Sequence, residues 1–193
     1  MNRNHVRKFA TILNKHGIHY VIVGGAAVAE VYPSESRDVD VLLMTREYAR
    51  GVDALDHDPS IVSMSRDDSE MAGGHFVVGH EVVRFDVLDP SAFSGRRPGD
   101  TFFDYVARFG SRGTADGRVA KVGVVWYTRL VIESDAWLVQ VQKILRDLRA
   151  GAPWALTKDV HRIARRFGVQ TRIMDRLEFL QQEAERAGLR PSQ

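Results

Sequence analysis

The sequence predicts an α+β fold, in which a β-sheet is flanked by helices and followed by a C-terminal helical extension. Two patterns predict it. Short apolar runs of the kind found in strands recur through the first two thirds of the chain. Helical periodicity precedes these runs and dominates the chain after about residue 128. Because 193 residues suit one domain with an appendage, we expect a main domain at 1–127 and a helical region packed on it at 128–193.

The first predicted elements are a helix, a strand and a second, short helix. Residues 6–15 carry one apolar stripe at helical spacing. The apolar run Tyr20–Val23 predicts a strand, and Gly24 and Gly25 separate it from a short helical segment at 26–31. The predicted order is therefore strand, glycine turn and helix.

The middle of the chain predicts further strands. Residues 38–44 alternate between polar and apolar side chains, as in a half-buried strand. Thr45 is predicted to be the N-cap of a helix that ends near residue 55. We then expect strands at 61–64, 75–78 and 81–88, a loop at 65–74, a short helix capped by Asp100 or Thr101 that runs through 109, and a strand at 118–125. The helices predicted for the C-terminal part are 128–149, 157–167 and 171–187.

Composition excludes several classes of protein. The chain has no cysteine, which rules out disulfides and thiolate metal sites. No apolar run approaches the roughly 18 residues of a membrane span, and the basic N-terminus has no apolar stretch behind it, so we expect a cytoplasmic protein without a membrane partner. The net charge is only +2, yet 143–193 holds 11 basic against 6 acidic residues. That segment suits a polyanionic partner such as a nucleoside triphosphate (NTP) or RNA, although a solvated helix face explains the same charges.

Two aspartates stand on one predicted strand. Asp38 and Asp40 point to the same face with Cα atoms roughly 7 Å apart, while Val39 and Val41 face the other way. Carboxylates held this close repel each other, and a hard divalent cation, with magnesium as the natural candidate, is the commonest reason for such a pair. The alternative is that one aspartate is exposed and the other pairs with an arginine, either Arg37 or Arg84.

Two further features favour the metal site over that alternative. Gly24 and Gly25 lie between a strand and a helix, where missing side chains let backbone N–H groups approach phosphate oxygens. Asp86 lies inside another hydrophobic strand and shares a face with Arg84. A third acid and a phosphate-type turn therefore accompany the aspartate pair.

This arrangement resembles a known signature. Val23-Gly24-Gly25, twelve intervening residues and then Asp38-Val39-Asp40-Val41 resemble the motif of the DNA polymerase beta-like nucleotidyltransferase superfamily, and Asp86 matches its third carboxylate. The resemblance implies a nucleotidyltransferase-like mixed β-sheet. It also implies a metal-dependent enzyme that moves a nucleoside monophosphate (NMP) from an NTP to a hydroxyl and releases pyrophosphate.

The resemblance implies a role for each matched residue. Asp38, Asp40 and Asp86 would hold two Mg²⁺ ions, with Mn²⁺ as the alternative, and two such ions stabilise both the attacking and the leaving oxygen. Gly24 and Gly25 would cradle the triphosphate. The residues just before the acids, Ser36 and Arg37, would contact phosphate.

The C-terminal part resembles the abortive-infection and related toxin-type nucleotidyltransferases. In those proteins a helical lysine and a downstream aspartate complete the nucleotide site, and Lys143 and Asp159 are the matching candidates here. A second acid often follows that aspartate by three residues, but this chain has Arg162 there. The resemblance implies a toxin with an antitoxin protein as partner and with RNA, such as tRNA, or a protein as acceptor.

Two alternatives stay open from the sequence. An aminoglycoside-type, antibiotic-modifying nucleotidyltransferase would use the same metal site and differ only in its pocket for a small-molecule acceptor. A non-catalytic or antitoxin-like nucleotide-binding module would keep the fold without the chemistry, but the three intact acids argue against it.

Overall fold

The computed structural model describes residues 3–33, 36, 38–66, 71–115, 117–132 and 136–189. This part of the chain folds into seven strands and eight α-helices. The strands are β1 (Tyr20–Val23), β2 (Asp38–Leu43), β3 (Ile61–Arg66), β4 (Met71–Val78), β5 (Glu81–Leu88), β6 (Ser111–Thr114) and β7 (Gly117–Ala120). The helices are α1 (Arg3–Lys15), α2 (Gly24–Ala29), α3 (Thr45–Asp56), α4 (Gly99–Tyr105), α5 (Val122–Val131), α6 (Trp137–Arg149), α7 (Leu156–Phe167) and α8 (Gln170–Arg186).

All seven strands belong to one mixed sheet with the order β3-β4-β5-β2-β1-β7-β6. β2 lies in the middle, parallel to β5 and antiparallel to β1. β1 is in turn parallel to β7, whereas β3, β4 and β5 form an antiparallel meander. The predicted fold class, a mixed sheet flanked by helices, is therefore confirmed.

Helices α1 and α3 cover one face of the sheet. Phe9 of α1 packs against two aromatic side chains of that face, with ring centroids 5.1 Å from Phe76 and 4.7 Å from Phe85. All three rings are fully buried. Burying an aromatic side chain contributes a few kcal/mol, so this cluster anchors α1 to the β4-β5 hairpin.

The C-terminal helices pack around α5. Every residue of α5 is buried, and the helix contacts α2, α6, α7 and α8. Trp126 and Tyr127 of α5 and Phe167 of α7 are among the largest fully buried side chains. Trp126 and Phe167 are therefore packing residues.

Several predicted elements differ from the structure. The predicted loop at 65–74 is partly strand, since β3 continues to Arg66 and β4 begins at Met71. The strand predicted at 118–125 ends at Ala120, and α5 begins at Val122. A helix that is apolar on all sides has no helical stripe, so its sequence is hard to tell from that of a buried strand. Strand β6 at 111–114 was not predicted at all.

The helix predicted at 128–149 is two helices, because α5 ends at Val131 and α6 begins at Trp137. Two predicted caps are also wrong. Met44 and Pro98 hold the N-cap positions of α3 and α4, and neither makes a side-chain capping bond. The predicted domain boundary at 127/128 falls inside α5, and the division stays a prediction.

Within the described residues, none of the helices combines the length and the apolar character needed to cross a membrane.

Candidate active site

Three carboxylates meet on one face of the sheet. Asp38 and Asp40 lie on β2, and Asp86 lies on the parallel neighbour β5, directly paired with Asp40. Because side chains alternate along a strand, all three point to the same side. One carboxylate oxygen from each residue lies within 4.8 Å of the others. The structure thus brings the three predicted acids together.

The turn after β1 lies against this cluster. Gly24 has φ +62°, and a Cβ atom built on it would lie 1.6 Å from Oδ2 of Asp40. Gly17 has the same φ, yet nothing lies within 4 Å of its Cβ position. Gly24 is therefore required for two reasons, the left-handed backbone and the close approach of the Asp40 carboxylate.

The second glycine of the turn makes room for Ser36. A Cβ on Gly25 would lie 2.7 Å from the Ser36 hydroxyl. That hydroxyl lies 2.9 Å from the main-chain oxygen of Asp38 and 3.1 Å from its Oδ1, to which it donates. Ser36 thus orients the first acid, and the space in front of the glycines holds protein atoms. The other residue predicted to contact phosphate, Arg37, lies outside the described residues.

Asp86 is held from the opposite side. Nη2 of Arg84 donates to both of its carboxylate oxygens, at 3.1 and 3.2 Å. Of the two arginines that the sequence analysis offered as partners of the β2 aspartates, Arg84 thus pairs with Asp86 instead, and Arg37 lies outside the described residues. On β4, a Cβ at Gly73 would lie 2.6 Å from Oδ1 of Asp86. Sequence reasoning missed Gly73, although a Gly-Gly pair at 73–74 next to a predicted strand is a recognised sign of close approach.

The cluster is electrostatically strained. Burial, together with repulsion by Asp38 and Asp86, raises the pKa of Asp40 to about 7, while the positive charges of Lys143 and Arg129 act in the opposite direction. Without a metal, burial and the neighbouring negative charges oppose ionisation of this carboxyl group even at neutral pH. A divalent cation would remove the repulsion and restore the ionised form.

Two basic residues of the C-terminal helices face this charge. Lys143 lies on α6 and, among the described residues, has no hydrogen bond or ion pair. Arg129 of α5 is buried and forms an ion pair with Asp147 of α6, which also accepts a 2.9 Å hydrogen bond from Nε1 of Trp126. Arg129 and Asp147 were not singled out from the sequence. Neither fits a motif that would have marked it.

Asp159 lies at the start of α7. Asp159 forms an ion pair with Arg162. It also packs against α5, where a Cβ built on Gly123 would lie 2.6 Å from the Cβ of Asp159. No described contact connects it with the three carboxylates, unlike Lys143, whose charge acts on Asp40. The nucleotide-binding role predicted for Asp159 stays a prediction.

The donor set fits a hard divalent cation. The three residues offer only carboxylate oxygens, and they form a cluster that could hold a metal ion. Oxygen ligands of this kind suit Mg²⁺ and Mn²⁺ rather than softer metals. Fold and site together define an α+β protein with an acidic, metal-type centre in the middle of a mixed sheet.

The chain is similar in structure to solved proteins, whereas the sequence comparisons found no match. No protein-family model matches the sequence, and no curated protein matches it at a significant level. The chain is similar in structure to an antigenic nucleotidyltransferase-like protein from Paracoccidioides brasiliensis, with 14% identity and a TM-score of 0.48 over 88% of this chain and 90% of the other. A candidate nucleotidyltransferase from H. pylori gives 8% identity and a TM-score of 0.46 over 96% of each chain.

Proposed function

We propose that the protein is a divalent-metal-dependent nucleotidyltransferase that moves an NMP from an NTP to a hydroxyl. The observation that carries the proposal is the carboxylate cluster of Asp38, Asp40 and Asp86, whose oxygens lie within 4.8 Å of one another. The raised pKa of Asp40 supports it, because mutual repulsion of this kind calls for a counter-cation. The glycine turn that touches Asp40 supports it as well.

In this proposal the three acids hold two Mg²⁺ ions, or Mn²⁺ in their place. When bound, such ions stabilise the charge on both the attacking oxygen and the leaving pyrophosphate. Asp38 and Asp40 on the central strand, and Asp86 on the neighbouring strand, would hold these ions, and Asp86 would lie on the side of the incoming hydroxyl. Ser36 keeps the Asp38 carboxylate oriented through its hydrogen bond.

The triphosphate is proposed to lie on the side of the glycine turn. Gly24 contacts the Asp40 carboxylate and Gly25 lies against the Ser36 hydroxyl, so the triphosphate would lie beside these groups, near the start of α2, which packs against α5. Lys143 carries a positive charge, and its effect in the structure is to lower the pKa of Asp40. A lysine ammonium is a suitable counter-charge for the β- and γ-phosphates. Arg37 and Asp159 are kept as further candidates on the basis of the sequence.

The acceptor is proposed to be RNA or a protein. A toxin role, with an antitoxin as partner, and a cytoplasmic location remain predictions from the sequence. Induced expression tests the toxin prediction: growth should stop with the wild type and continue with Asp40→Asn, and growth that continues with both contradicts it.

Labelled nucleotides test the activity directly. The protein is incubated with each radiolabelled NTP, Mg²⁺ and either total RNA or total protein, and label in the macromolecule is measured. We expect Asp38→Asn and Asp40→Asn to lower transfer by roughly 1000-fold, because each removes several kcal/mol of transition-state stabilisation. Asp53→Asn, on the exposed surface of α3, is the matched control and should leave transfer unchanged.

Folding of each variant is checked by circular dichroism. Absence of both transfer and metal-dependent NTP binding in the wild type would contradict the proposal. Equal activity of Asp40→Asn and Asp53→Asn would contradict the assignment of the site.

A further inference from the structure

Arg84 is placed beside the carboxylate cluster with most of its donors unused. Its side chain is 58% exposed, and only Nη2 is engaged, in the two hydrogen bonds to Asp86. Among the described residues, Nε and Nη1 donate to no acceptor. A guanidinium group presents several donors in one plane and binds phosphate through two of them at once. One edge of Arg84 is therefore available to an anion.

The neighbours of Arg84 continue the polar surface across the sheet. Strand pairing places Arg84 between Asp38 of β2 and His75 of β4, and His75 pairs in turn with Ser63 of β3. Ser63 Oγ and His75 Nδ1 share a hydrogen bond of 3.0 Å. The four side chains thus form one cross-strand row that ends at the metal-type centre.

This part of the sheet is open on the side of the acids. Ser63 and His75 are exposed, and Val82, which lies on β5 next to Arg84 on the same face, is 62% exposed. The opposite face of these strands is buried under α1. We call the surface formed by Ser63, His75, Val82 and Arg84 the open face.

For the proposed transfer, the in-line arrangement of the attacking and leaving oxygens indicates which ligand would lie on the open face. In such a displacement the attacking oxygen and the leaving group lie on opposite sides of the phosphorus. The sheet order puts the Gly24 turn, after β1, on one side of Asp40, and puts Asp86 with the open face on the other. With the triphosphate toward Gly24, the acceptor hydroxyl must arrive over β5 and β4.

We propose that the open face binds the acceptor, and that Arg84, supported by His75, holds a phosphate group adjacent to the reactive hydroxyl. The acceptor is accordingly of nucleotide type, with a sugar hydroxyl at Asp86 and its own phosphate at Arg84. Residues two apart on a strand have Cα atoms about 7 Å apart, and one nucleotide unit spans such a gap. This inference rests on the proposed nucleotidyl transfer.

Acceptors that differ only in a phosphate test the inference. Transfer from labelled NTP with Mg²⁺ is measured to adenosine, to AMP and to a short oligoribonucleotide with a free 3′-hydroxyl. We expect both phosphorylated acceptors to be used at least about tenfold better than adenosine, the size of a charge-assisted hydrogen bond. In Arg84→Gln that preference should disappear through a higher KM for the acceptor. The oligonucleotide separates a nucleic-acid acceptor from a free nucleotide, since only the former gains from added length.

The matched control is Arg112→Gln, an exposed strand arginine at the far edge of the sheet on β6. It should keep the preference. Metal-dependent binding of a non-hydrolysable NTP analogue is measured for all variants. Arg84→Gln also removes the hydrogen bonds to Asp86, and that loss acts equally on transfer to adenosine and to AMP. Only the preference between these two acceptors therefore reports the phosphate contact of Arg84.

The outcomes are distinguishable. Equal use of adenosine and AMP, loss of both in proportion in Arg84→Gln, or NTP binding without transfer to any of the three acceptors would overturn the acceptor assignment alone. Failure of the wild type to bind the NTP analogue with metal would overturn the proposed function, and the acceptor assignment with it.

Discussion

Asp40 shows how one residue is shaped by its surroundings. It pairs with Asp86 across the strands, shares a face with Asp38 and fills the space in front of Gly24. Burial and two neighbouring negative charges raise its pKa to about 7 from 3.8. In the folded protein without metal, ionisation of this group is therefore opposed by the site itself, and the cost appears in the stability of the whole chain.

The metal-free protein should become more stable when Asp40 is replaced by asparagine. The raised pKa means that the wild type is penalised as the pH rises from about 4 to about 7, where the unfolded chain ionises before the folded one. We expect the free energy of unfolding of Asp40→Asn to exceed that of the wild type by about 2–4 kcal/mol at pH 8, with the gap closing toward pH 4. Urea unfolding in the presence of a chelator measures it.

Asp58 provides a control of opposite sign. Its carboxylate is also buried, which alone would raise its pKa, but hydrogen bonds from the Ser60 backbone, His16 and Lys15 lower the pKa well below its usual range. Asp58→Asn should therefore destabilise the protein at pH 8 by about 1–3 kcal/mol, and the loss should shrink as the pH falls below 4. If Asp40→Asn also destabilised the protein at pH 8, the account of Asp40 would be wrong.

The common face of Asp38 and Asp40 followed from the sequence, but the environment of the glycines did not. Alternation along a strand is a local rule, so it placed Asp38 and Asp40 on one face without knowledge of the fold. The sequence attributed Gly24 to phosphate approach, whereas the structure shows it in contact with the Asp40 carboxylate. Such a contact between segments distant in sequence follows only from the packed structure.

Strand β4 shows the same limit for a whole element. Its first half was predicted as a loop because Gly73 and Gly74 interrupt the apolar pattern. In the structure these glycines let β4 lie close to its neighbours, with a Cβ at Gly74 only 2.2 Å from the main-chain oxygen of Ser63. Glycine in a strand has this meaning when another backbone or a functional side chain approaches closely.

Replacing Gly73 by alanine should displace the Asp86 carboxylate. The added methyl group would lie 2.6 Å from Oδ1 of Asp86 and 3.2 Å from the main-chain oxygen of Phe85, so either the side chain or the strand must move. A shift of about 1 Å in a catalytic group costs about 100-fold in rate. We expect a loss of that size in kcat for transfer, measured with folding monitored by circular dichroism.

Gly113→Ala on β6 is the matched control, since nothing lies within 4 Å of its Cβ position and its φ is not in the left-handed region. It should transfer at the wild-type rate. Equal rates in the two alanine variants would mean that β4 does not position Asp86.

Helix α5 was misread for a different reason. Its ten residues are all buried, so no polar face marks the helical period. The ion pair of Arg129 with Asp147 is buried in the same region, and no local sequence pattern predicts it. Both features depend on the neighbouring α2, α6, α7 and α8, and information of that kind is not contained in a short window of sequence.

For the molecule as a whole, the fold class followed from the sequence and the strand order did not. Binary patterns and glycine turns predicted a sheet flanked by helices, as the structure has it. The parallel pairing of β2 with β5, which joins Asp40 to Asp86, links segments more than forty residues apart. Only the assembled sheet creates the cluster on which the proposed function rests.

Counting bound metal ions tests that cluster most directly. Mn²⁺ is titrated into the protein with a non-hydrolysable NTP analogue, and free Mn²⁺ is followed by electron paramagnetic resonance. We expect two ions per chain in the wild type and in Asp53→Asn, and weak or no binding in Asp40→Asn. Absence of bound Mn²⁺ in the wild type, or equal binding by Asp40→Asn and Asp53→Asn, would contradict this expectation.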